Sequence, residues 1–273
     1  MSETKKILFT DVDDTLLNRR KEISAENRAA IEAAVSAGHR VVICTGRPLC
    51  STKALIQSLG LTSPGCFVIC YNGGLIYDCH KNQVLYRRTL TAEQLDFVFS
   101  VADEADIHVQ TYDADAMLSR TDSPEARFYG ESTHCPYRVE PGIPDVLSDG
   151  SEKALLISFD RHDLLDQCRQ KLSARPDSGM TFFYSSDHFL EAVPEGVSKG
   201  SAITWFCEHF GIPMENTVSA GDAENDLPML RTAHIGCAMA NATEPCKETA
   251  DYITENDCDH SGLAEIIQKF ILQ

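Results

Sequence analysis

Apolar residues occur along this chain in short blocks whose spacing predicts strands and helices in alternation. The continuous apolar runs 7–10, 41–45 and 66–71 have the length of buried strands. Helical spacing of apolar positions follows in 24–37 and 52–59, and a glycine comes after each of these two segments. Continuous apolar strands separated by helices are typical of a parallel sheet that is covered on both faces.

The pattern changes after residue 74. Apolar runs at 75–77 and 84–86 enclose a polar turn and predict a hairpin. A helix is predicted next, because Thr91 and Gln94 stand in the positions of a capping box. Strands and helices then continue in a mixed order, which predicts an α+β module inserted into the first domain.

Strand–helix alternation resumes at about residue 196 and continues towards the C-terminus. We therefore predict an α/β protein with a Rossmann-like parallel-sheet core made of residues 1–86 and 194–273. The inserted α+β domain is expected over 87–193. Within it, 113–151 is rich in Pro, Gly, Asp and Ser, and the sequence predicts no element bounds there.

Composition limits the class of protein. The chain has 273 residues, 43% of them hydrophobic and 24% charged, which suits one or two globular domains. A net charge of −17 repels polyphosphate backbones, so nucleic acid is not an expected partner. No apolar stretch approaches the ~20 residues that a membrane span needs, and the first strand begins too early for a signal peptide. We expect no membrane association and a cytoplasmic location.

The cysteines give little indication of a metal or redox motif. The chain has 11, an odd number, mostly in apolar runs and without a C-x-x-C pair, which predicts reduced, buried thiols. The cluster Asp257-Cys258-Asp259-His260 offers metal ligands, but it also suits a polar turn before the last helix, and we favour the turn.

The most informative polar residues follow the first strand. Asp11 and Asp13 come directly after the run 7–10, and alternate positions of an extended segment point to the same side. Two carboxylates that close need a cation or a shared proton, and Mg²⁺ is the hard, oxygen-binding ion that suits them best. Taken alone, the same residues also fit an acidic turn after a strand.

Two further segments place phosphate-binding chemistry at a strand end and a helix start. Thr45 and Gly46 end the second strand and offer a hydroxyl and a backbone N–H that a phosphate can approach closely. Lys199 stands in the first turn of a helix predicted for 199–210. A cation is unfavourable at that end of the helix dipole, which indicates a functional reason for its position. Either segment alone also suits an ordinary turn or a solvated lysine.

A fourth polar segment follows the strand predicted for 217–220. Asp222 is nearest the strand end and is the expected metal ligand, and Asn225 and Asp226 add further polar side chains. Glu224 and Asp226 also suit the cap and first turn of the next helix, with no catalytic duty.

Together and in this order, the four segments resemble the motifs of the haloacid dehalogenase superfamily of phosphohydrolases. The large insertion between Thr45 and Lys199, with Tyr-Asn-Gly-Gly at 71–74, is similar to the Cof-like sugar-phosphatase branch (subfamily IIB). In that branch the insertion is an α/β cap over the active site. The resemblance extends over essentially the whole chain. Asp14 departs from it, because the family usually has Gly there, but Asp tolerates left-handed backbone better than most residues.

The resemblance implies a magnesium-dependent phosphatase that works through an aspartyl phosphate. Asp11 would attack phosphorus, and Asp13, kept protonated by its acidic neighbours, would protonate the departing alkoxide and later deprotonate the hydrolytic water. Either Asn225 or Asp226 would orient the lysine or complete the metal shell. The implied site residues are Asp11, Asp222 and the backbone carbonyl of Asp13 for Mg²⁺, then Thr45, Gly46, Lys199 and Asn225 for the phosphate, with Thr15 and Asp226 in support.

Other functions stay open from the residues alone. A sugar phosphomutase would use the same intermediate, and a receiver-like phosphoacceptor module also combines paired acids, a Thr and a Lys on a parallel sheet. A silent binding protein is disfavoured because every reactive position is filled. The expected partner is a small phosphomonoester, a sugar phosphate or a similar metabolite, and the expected assembly is a monomer or homodimer. Residues of the insertion that could contact the leaving group are Arg127, Tyr129, His134, Tyr184, His188 and Glu191.

Overall fold

The computed structural model describes residues 5–143, 145–147 and 149–273. Its strands are β1 (Ile7–Thr10), β2 (Arg40–Cys44), β3 (Phe67–Cys70), β4 (Leu75–Asp78), β5 (Gln83–Arg87), β6 (His108–Tyr112), β7 (Met117–Ser119), β8 (Tyr137–Val139), β9 (Ala154–Ile157), β10 (Met180–Ser186), β11 (Phe189–Pro194), β12 (Thr217–Gly221), β13 (Ile235–Ala238) and β14 (Tyr252–Ile253). Its helices are α1 (Ala25–Ser36), α2 (Leu49–Ser58), α3 (Ala92–Glu104), α4 (Pro124–Thr133), α5 (His162–Ser173), α6 (Lys199–Phe210), α7 (Leu227–Thr232), α8 (Glu244–Thr249) and α9 (Gly262–Ile266), which a π-helical turn (Ile267–Ile271) continues.

The described residues divide into two compact units. The first unit holds the residues up to Thr45, Ile56–Leu85 and Ser198–Gln273, and the second unit holds Gly46–Leu55 and Tyr86–Val197. The predicted core of 1–86 and 194–273, and the role of the insertion as a cap, stay predictions. No α-helix in the described ranges has the length and apolar character that a membrane crossing requires.

The first unit is built on one sheet with the order β14-β13-β12-β1-β2-β3-β4-β5. The pairs from β14 to β3 are parallel, and β4 runs antiparallel to β3. Thr10 at the end of β1 pairs with Ile43 of β2 and with Ala220 of β12. Because parallel strands end at the same edge, the polar segments that follow β1, β2 and β12 are brought together there. The predicted α/β class is confirmed.

Helix α6 is held against this sheet by aromatic packing. The ring of Phe206, which is fully buried, lies 5.6 Å from Phe9 of β1 and 5.0 Å from Phe67 of β3 in edge-to-face contacts. At the other end of the helix, a Cβ on Gly200 would lie 2.5 Å from the carbonyl oxygen of Pro228, so only glycine allows α7 to approach this closely. These contacts fix the first turn of α6, which carries Lys199.

The start of α2 differs from the prediction. The helix begins at Leu49 rather than at Thr52, because Pro48 precedes it and supplies the backbone angle of a first turn. Thr52, the predicted start, lies inside the helix, and its backbone N–H donates to the Pro48 carbonyl at 3.1 Å. The helix predicted for 199–210 is confirmed at both ends.

The second unit is an α+β module around a mainly antiparallel sheet, with the order β10-β11-β9-β6-β7-β8. One face packs on α3 and α5 through a buried cluster that includes Phe99, Leu156 and Leu165. The predicted capping box of α3 is confirmed, since the Thr91 hydroxyl accepts from the Gln94 N–H at 3.2 Å and the Gln94 side chain accepts from the Thr91 N–H at 2.9 Å.

The segment 113–151 holds elements that the sequence did not predict, namely β7, α4 and β8. The two strands have only three residues each, too few for a periodic signal. Helix α4 is polar, and it begins by local chemistry instead: the Ser123 hydroxyl accepts from the Ala126 N–H at 3.0 Å, and Pro124 stands in the first turn.

The cluster at 257–260 forms the favoured polar turn. The Asp257 carboxylate accepts from the backbone N–H groups of Asp259 and His260, both at 3.1 Å, and α9 follows the turn. The acidic side chain therefore serves as a cap.

Candidate active site

Asp11 stands at the sheet edge as a direct continuation of β1. Its backbone N–H donates to the carbonyl of Ala220 at 2.9 Å, so the ladder between β1 and β12 still holds the backbone at this residue. The residue is 7% exposed. Asp222 follows the last residue of β12, and its carboxylate accepts from the buried Thr15 hydroxyl at 2.7 Å. Thr15 therefore orients Asp222, and its supporting role in the reaction stays a prediction.

Lys199 is fully buried between two carboxylates. Its Nζ lies 2.5 Å from Asp11 Oδ1 and 2.5 Å from Asp226 Oδ1. The helix start that presents it is capped by Ser198, whose hydroxyl accepts from the Ser201 N–H at 3.0 Å. A lysine in the first turn opposes the helix dipole, and the two anionic partners offset that cost.

Asp226 joins the lysine to the loop that carries Asp222. While Oδ1 accepts from Lys199, Oδ2 accepts from the backbone N–H groups of Asp222 at 2.9 Å and Ala223 at 3.1 Å. The fold provides room for this carboxylate, because a Cβ on Gly221 would lie only 2.5 Å from Asp226 Cγ. Of the two residues expected to orient the lysine, Asp226 contacts it.

Asn225 has a different neighbour. Its side-chain N–H donates to Asn72 Oδ1 at 3.0 Å, and its own Oδ1 is buried without a hydrogen-bond partner among the described residues. Asn72 lies in the Tyr-Asn-Gly-Gly turn after β3 and has a φ of +55°. A buried acceptor oxygen that lacks a donor suits a cation or a hydroxyl of a ligand.

Thr45 and Gly46 come at the end of β2. The Thr45 side chain is buried, its N–H donates to Ile69 at 2.8 Å, and its carbonyl accepts from the N–H of Asn72 at 3.0 Å. Thr45 is therefore fixed by the turn after β3. Gly46 follows it directly in the chain and is the first residue of the second unit.

Asp13 has a basic neighbour that the sequence interpretation missed. Lys21 Nζ lies 2.9 Å from Asp13 Oδ1 and 3.7 Å from Asp14 Oδ1. The expectation that Asp13 carries a proton stays a prediction, and the ion pair with Lys21 adds a basic group to its surroundings. Asp14 has a φ of +58°, which confirms that Asp occupies left-handed backbone here. The Asn241 side chain holds that turn by donating to the Asp14 carbonyl at 2.8 Å.

Asn72 and Lys21 were not predicted as site residues, and the sequence could have indicated only one of them. Asn72 follows a buried strand, as the other site residues do, so its position alone could have indicated it. Lys21 lies in a polar loop next to two arginines, and nothing in the spacing distinguishes it from a solvated lysine.

The site concentrates acidic side chains around buried Asp11 and Lys199. Burial raises the pKa of Asp11 to about 7, and the Asp226 and Asp13 carboxylates add to the rise while Lys199 opposes it. Burial, followed by Asp226 and Asp11, holds the pKa of Asp222 well above its usual range. Burial alone would lower the pKa of Lys199, but Asp11 and Asp226 raise it above its ordinary value, so the ammonium stays charged.

Asp11, Asp222 and Asp226 are close enough to hold one metal ion together, since one carboxylate oxygen of each lies within 4.8 Å of the others. Three carboxylates, of which Asp11 and Asp226 are buried, and one buried ammonium would when ionised leave an excess negative charge that a divalent cation would balance. Both oxygens of Asp226 already accept hydrogen bonds. Asp226 therefore holds Lys199 and the Asp222 loop in position, and we call it the brace of the site. Asp11 and Asp222 are the better oxygen donors for Mg²⁺.

Comparison with known proteins decides the family. A family model of haloacid dehalogenase-like hydrolases matches residues 8–267. The chain belongs to this family. As a haloacid dehalogenase-like hydrolase it is 32% identical to the 5-amino-6-(5-phospho-D-ribitylamino)uracil phosphatase YwtE of Bacillus subtilis, over 97% of this chain and 98% of that protein. It is 27% identical to the pyridoxal phosphate phosphatase YbhA of Escherichia coli, over 98% of this chain and all of that protein.

The fold of this hydrolase is also shared. A crystal structure of a haloacid dehalogenase-like hydrolase from Bacteroides thetaiotaomicron superposes with a TM-score of 0.86 at 30% identity, over 97% of this chain and 99% of that one. The resemblance inferred from the four polar segments is confirmed. The hydrolase is a phosphatase that acts on phosphoric monoesters, as the sequence predicted.

Proposed function

We propose that this phosphatase is magnesium-dependent and hydrolyses small phosphomonoesters, sugar phosphates or similar metabolites, through an aspartyl phosphate on Asp11. The observation that carries the proposal is the buried contact of Asp11 with Lys199 at the carboxyl edge of the parallel sheet, beside Asp222. A buried carboxylate next to a fixed cation can approach an anionic phosphate that a lone carboxylate would repel.

The residues present fit a divalent cation. Asp11, Asp222 and the backbone carbonyl of Asp13 would hold Mg²⁺, and the orphan oxygen of Asn225 is a further acceptor in the same region. When bound, Mg²⁺ supplies positive charge that stabilises the negative oxygens of the transferring phosphoryl group.

The first half-reaction follows from what these side chains can do. An Asp11 carboxylate oxygen forms a bond to phosphorus while the bond from phosphorus to the alkoxide oxygen breaks. Lys199 places its ammonium next to the attacking carboxylate, and the Thr45 hydroxyl and Gly46 N–H would hold the other phosphate oxygens. Asp13 would give its proton to the departing alkoxide, so that an alcohol leaves.

The second half-reaction uses the same groups in reverse. Asp13, now a carboxylate, would take a proton from water as the water oxygen bonds to phosphorus and the bond to Asp11 breaks. Inorganic phosphate is released and both aspartates return to their first state. Lys21 Nζ lies 2.9 Å from Asp13 Oδ1, beside the carboxyl group that would carry the proton.

The substrate class is proposed from the charge of the chain and from the substrates of two relatives. The two named relatives act on phosphate esters of a ribitylaminouracil and of pyridoxal, which are small polar metabolites. The net charge of −17 disfavours polyanionic polymers as substrates. The phosphate of a small monoester can instead bind to the positive charges inside the site, at Lys199 and the proposed metal.

The test is phosphate release by the full chain from a panel of sugar phosphates, polyol phosphates, nucleotides, 5-amino-6-(5-phosphoribitylamino)uracil and pyridoxal phosphate. Release with Mg²⁺, its loss in EDTA, and recovery on adding Mg²⁺ back would support the proposal. Acid quenching with a labelled substrate should trap a phosphoenzyme that hydroxylamine cleaves, and Asp11→Asn should abolish both the label and turnover.

Three outcomes would contradict the proposal. They are turnover that persists in EDTA, an Asp11→Asn variant that keeps more than a few per cent of the rate, and a label on a residue other than Asp11. Conversion of a sugar phosphate to its isomer without phosphate release would instead indicate the phosphomutase. A stable phosphoenzyme without turnover would indicate the receiver-like module.

A further inference from the structure

Two cysteines of the second unit stand apart from the rest of the 11. The Sγ atoms of Cys50 and Cys135 are 3.5 Å apart, although 85 positions separate the residues in the chain. No disulfide joins any of the 11 cysteines, and nine of them are buried. Cys50 is partly exposed, while Cys135 is buried beneath it. One thiol of the pair is therefore accessible and the other is protected.

The backbone around both thiols is held in place. Cys50 is the second residue of α2, and Cys135 follows the end of α4, where His134 turns the chain with a φ of +53°. The Cys135 N–H donates to the Gly130 carbonyl at 3.0 Å. Next to the pair, the Ser51 hydroxyl donates to the carbonyl of Thr133, which ties the start of α2 to the end of α4.

Only a small movement would join the two sulfurs. A disulfide has an S–S bond of about 2.05 Å, so the present separation of 3.5 Å has to shorten by the difference alone. Rotation of the cysteine side chains between or within rotamer wells changes the distance between two sulfurs by this order. The tie between α2 and α4 keeps the two Cα atoms from drifting apart.

The two thiols are also chemically unequal. The hydrogen bond with Cys135 lowers the pKa of Cys50, whereas that same bond and then burial raise the pKa of Cys135. Cys79 has a similar intermediate exposure, but burial raises its pKa to about 12. Since the thiolate is the nucleophile, the accessible Cys50 is the reactive member and Cys135 the resolving one.

We propose that Cys50 and Cys135 form a reversible disulfide when the protein meets hydrogen peroxide. The Cys50 thiolate attacks one peroxide oxygen, the O–O bond breaks, and the hydroxide that leaves takes up a proton to become water. The Cys135 sulfur then attacks the sulfur of the Cys50 sulfenic acid, and the second oxygen leaves as water with the proton of Cys135.

The balance is two thiols and one peroxide giving one disulfide and two waters. The two sulfurs together lose two electrons, and the peroxide gains them. A dithiol reductant reverses the step by thiol–disulfide exchange. The disulfide would join residues 50 and 135, which are 85 positions apart in the chain, and closing so long a loop restricts the unfolded chain.

The test uses the full chain under native conditions. The protein is treated with one equivalent of hydrogen peroxide, alkylated with N-ethylmaleimide and analysed by intact mass and non-reducing tryptic mapping. Expected results are an intact protein whose Cys50 no longer takes up N-ethylmaleimide, and one linked species of peptides 41–53 and 128–138 that is about 2 Da lighter than the two reduced peptides together. Peptide 41–53 also contains Cys44, so fragmentation has to place the bond on Cys50.

Variants separate this pair from general oxidation. Cys79→Ser, at a thiol of similar exposure, should keep the cross-link, and Cys50→Ser should lose it. Dithiothreitol should restore the reduced mass. The oxidised protein should unfold at a midpoint several degrees above the reduced one, a shift absent from Cys50→Ser.

The proposal is overturned if Cys50 accumulates as a sulfinic acid without a bond to Cys135. It is equally overturned if the mapped bond joins Cys50 to another cysteine, or if Cys79→Ser removes the cross-link. Mapping of the unsubstituted protein decides the question even if a cysteine variant fails to fold.

Discussion

Replacement of Asp226 by Asn tests whether this residue is the brace of the site. The carboxylate is fully buried, and it accepts one hydrogen bond from Lys199 and two from the N–H groups of Asp222 and Ala223. An Asn keeps only one acceptor oxygen. Whichever way the amide is turned, its NH₂ faces donors: either the lysine ammonium or two backbone N–H groups.

The size of the effect follows from these contacts. Breaking a buried ion pair from one side costs about 3–5 kcal/mol, and we take the lower end because Asp11 still faces Lys199. About 3 kcal/mol corresponds to a fall of roughly 6 °C or more in the unfolding midpoint of a chain of this size. A lysine that loses its fixed position should cost about 10²–10³ in kcat, as removal of one oxyanion donor does.

The assay measures phosphate release and thermal unfolding of Asp226→Asn beside Glu215→Gln. Glu215 is an exposed carboxylate just before the other end of β12, so its variant should stay within about 0.5 kcal/mol of the parent. A double-mutant cycle with Lys199→Met should show a coupling of at least about 1 kcal/mol. An Asp226→Asn protein with near-normal kcat and unfolding midpoint would refute the brace.

Three further predictions concern the same edge of the sheet. Lys199→Ala should remove several kcal/mol of transition-state stabilisation, measured as a fall in kcat/KM. It should also destabilise the fold, since Asp11 and Asp226 lose their buried counter-charge. A normal rate in steady-state assays would refute this. The pKa of Asp11 is about 7 against an ordinary 3.8, so metal-free stability should fall as pH rises between these values. Mg²⁺ has to displace the Asp11 proton, so its stabilisation in thermal scans should be larger at about pH 8 than at about pH 6, and equal shifts would contradict the metal site. Gly73→Ala should destabilise by at least about 2 kcal/mol in denaturant unfolding, because Gly73 has a φ of +106° and its Cβ would lie 2.2 Å from the Ser198 carbonyl oxygen. Gly60→Ala, with a φ of +68° and open space, should lose only about 1 kcal/mol, and equal losses would refute the steric argument.

Local chemistry explains why much of the fold could be predicted. The capping box at Thr91 and Gln94 involves neighbours in the chain, so residue order alone indicates it. Helix α6 likewise begins and ends where predicted, since Ser198 caps one end and Gly211 adopts the left-handed turn at the other. The polar helix α4 has the same kind of cap but no apolar stripe, and the prediction missed it for that reason.

The candidate site likewise has features that residue order predicts and features that only the tertiary structure shows. The sequence by itself determined which polar side chains come to one edge of the sheet, because Asp11, Thr45 and Asp222 each follow a buried strand, and parallel strands end at one edge. Only the tertiary structure decided how the charges are paired. Asp226 rather than Asn225 holds the lysine, and Lys21 pairs with Asp13, because such pairs depend on distances in space that residue order does not give.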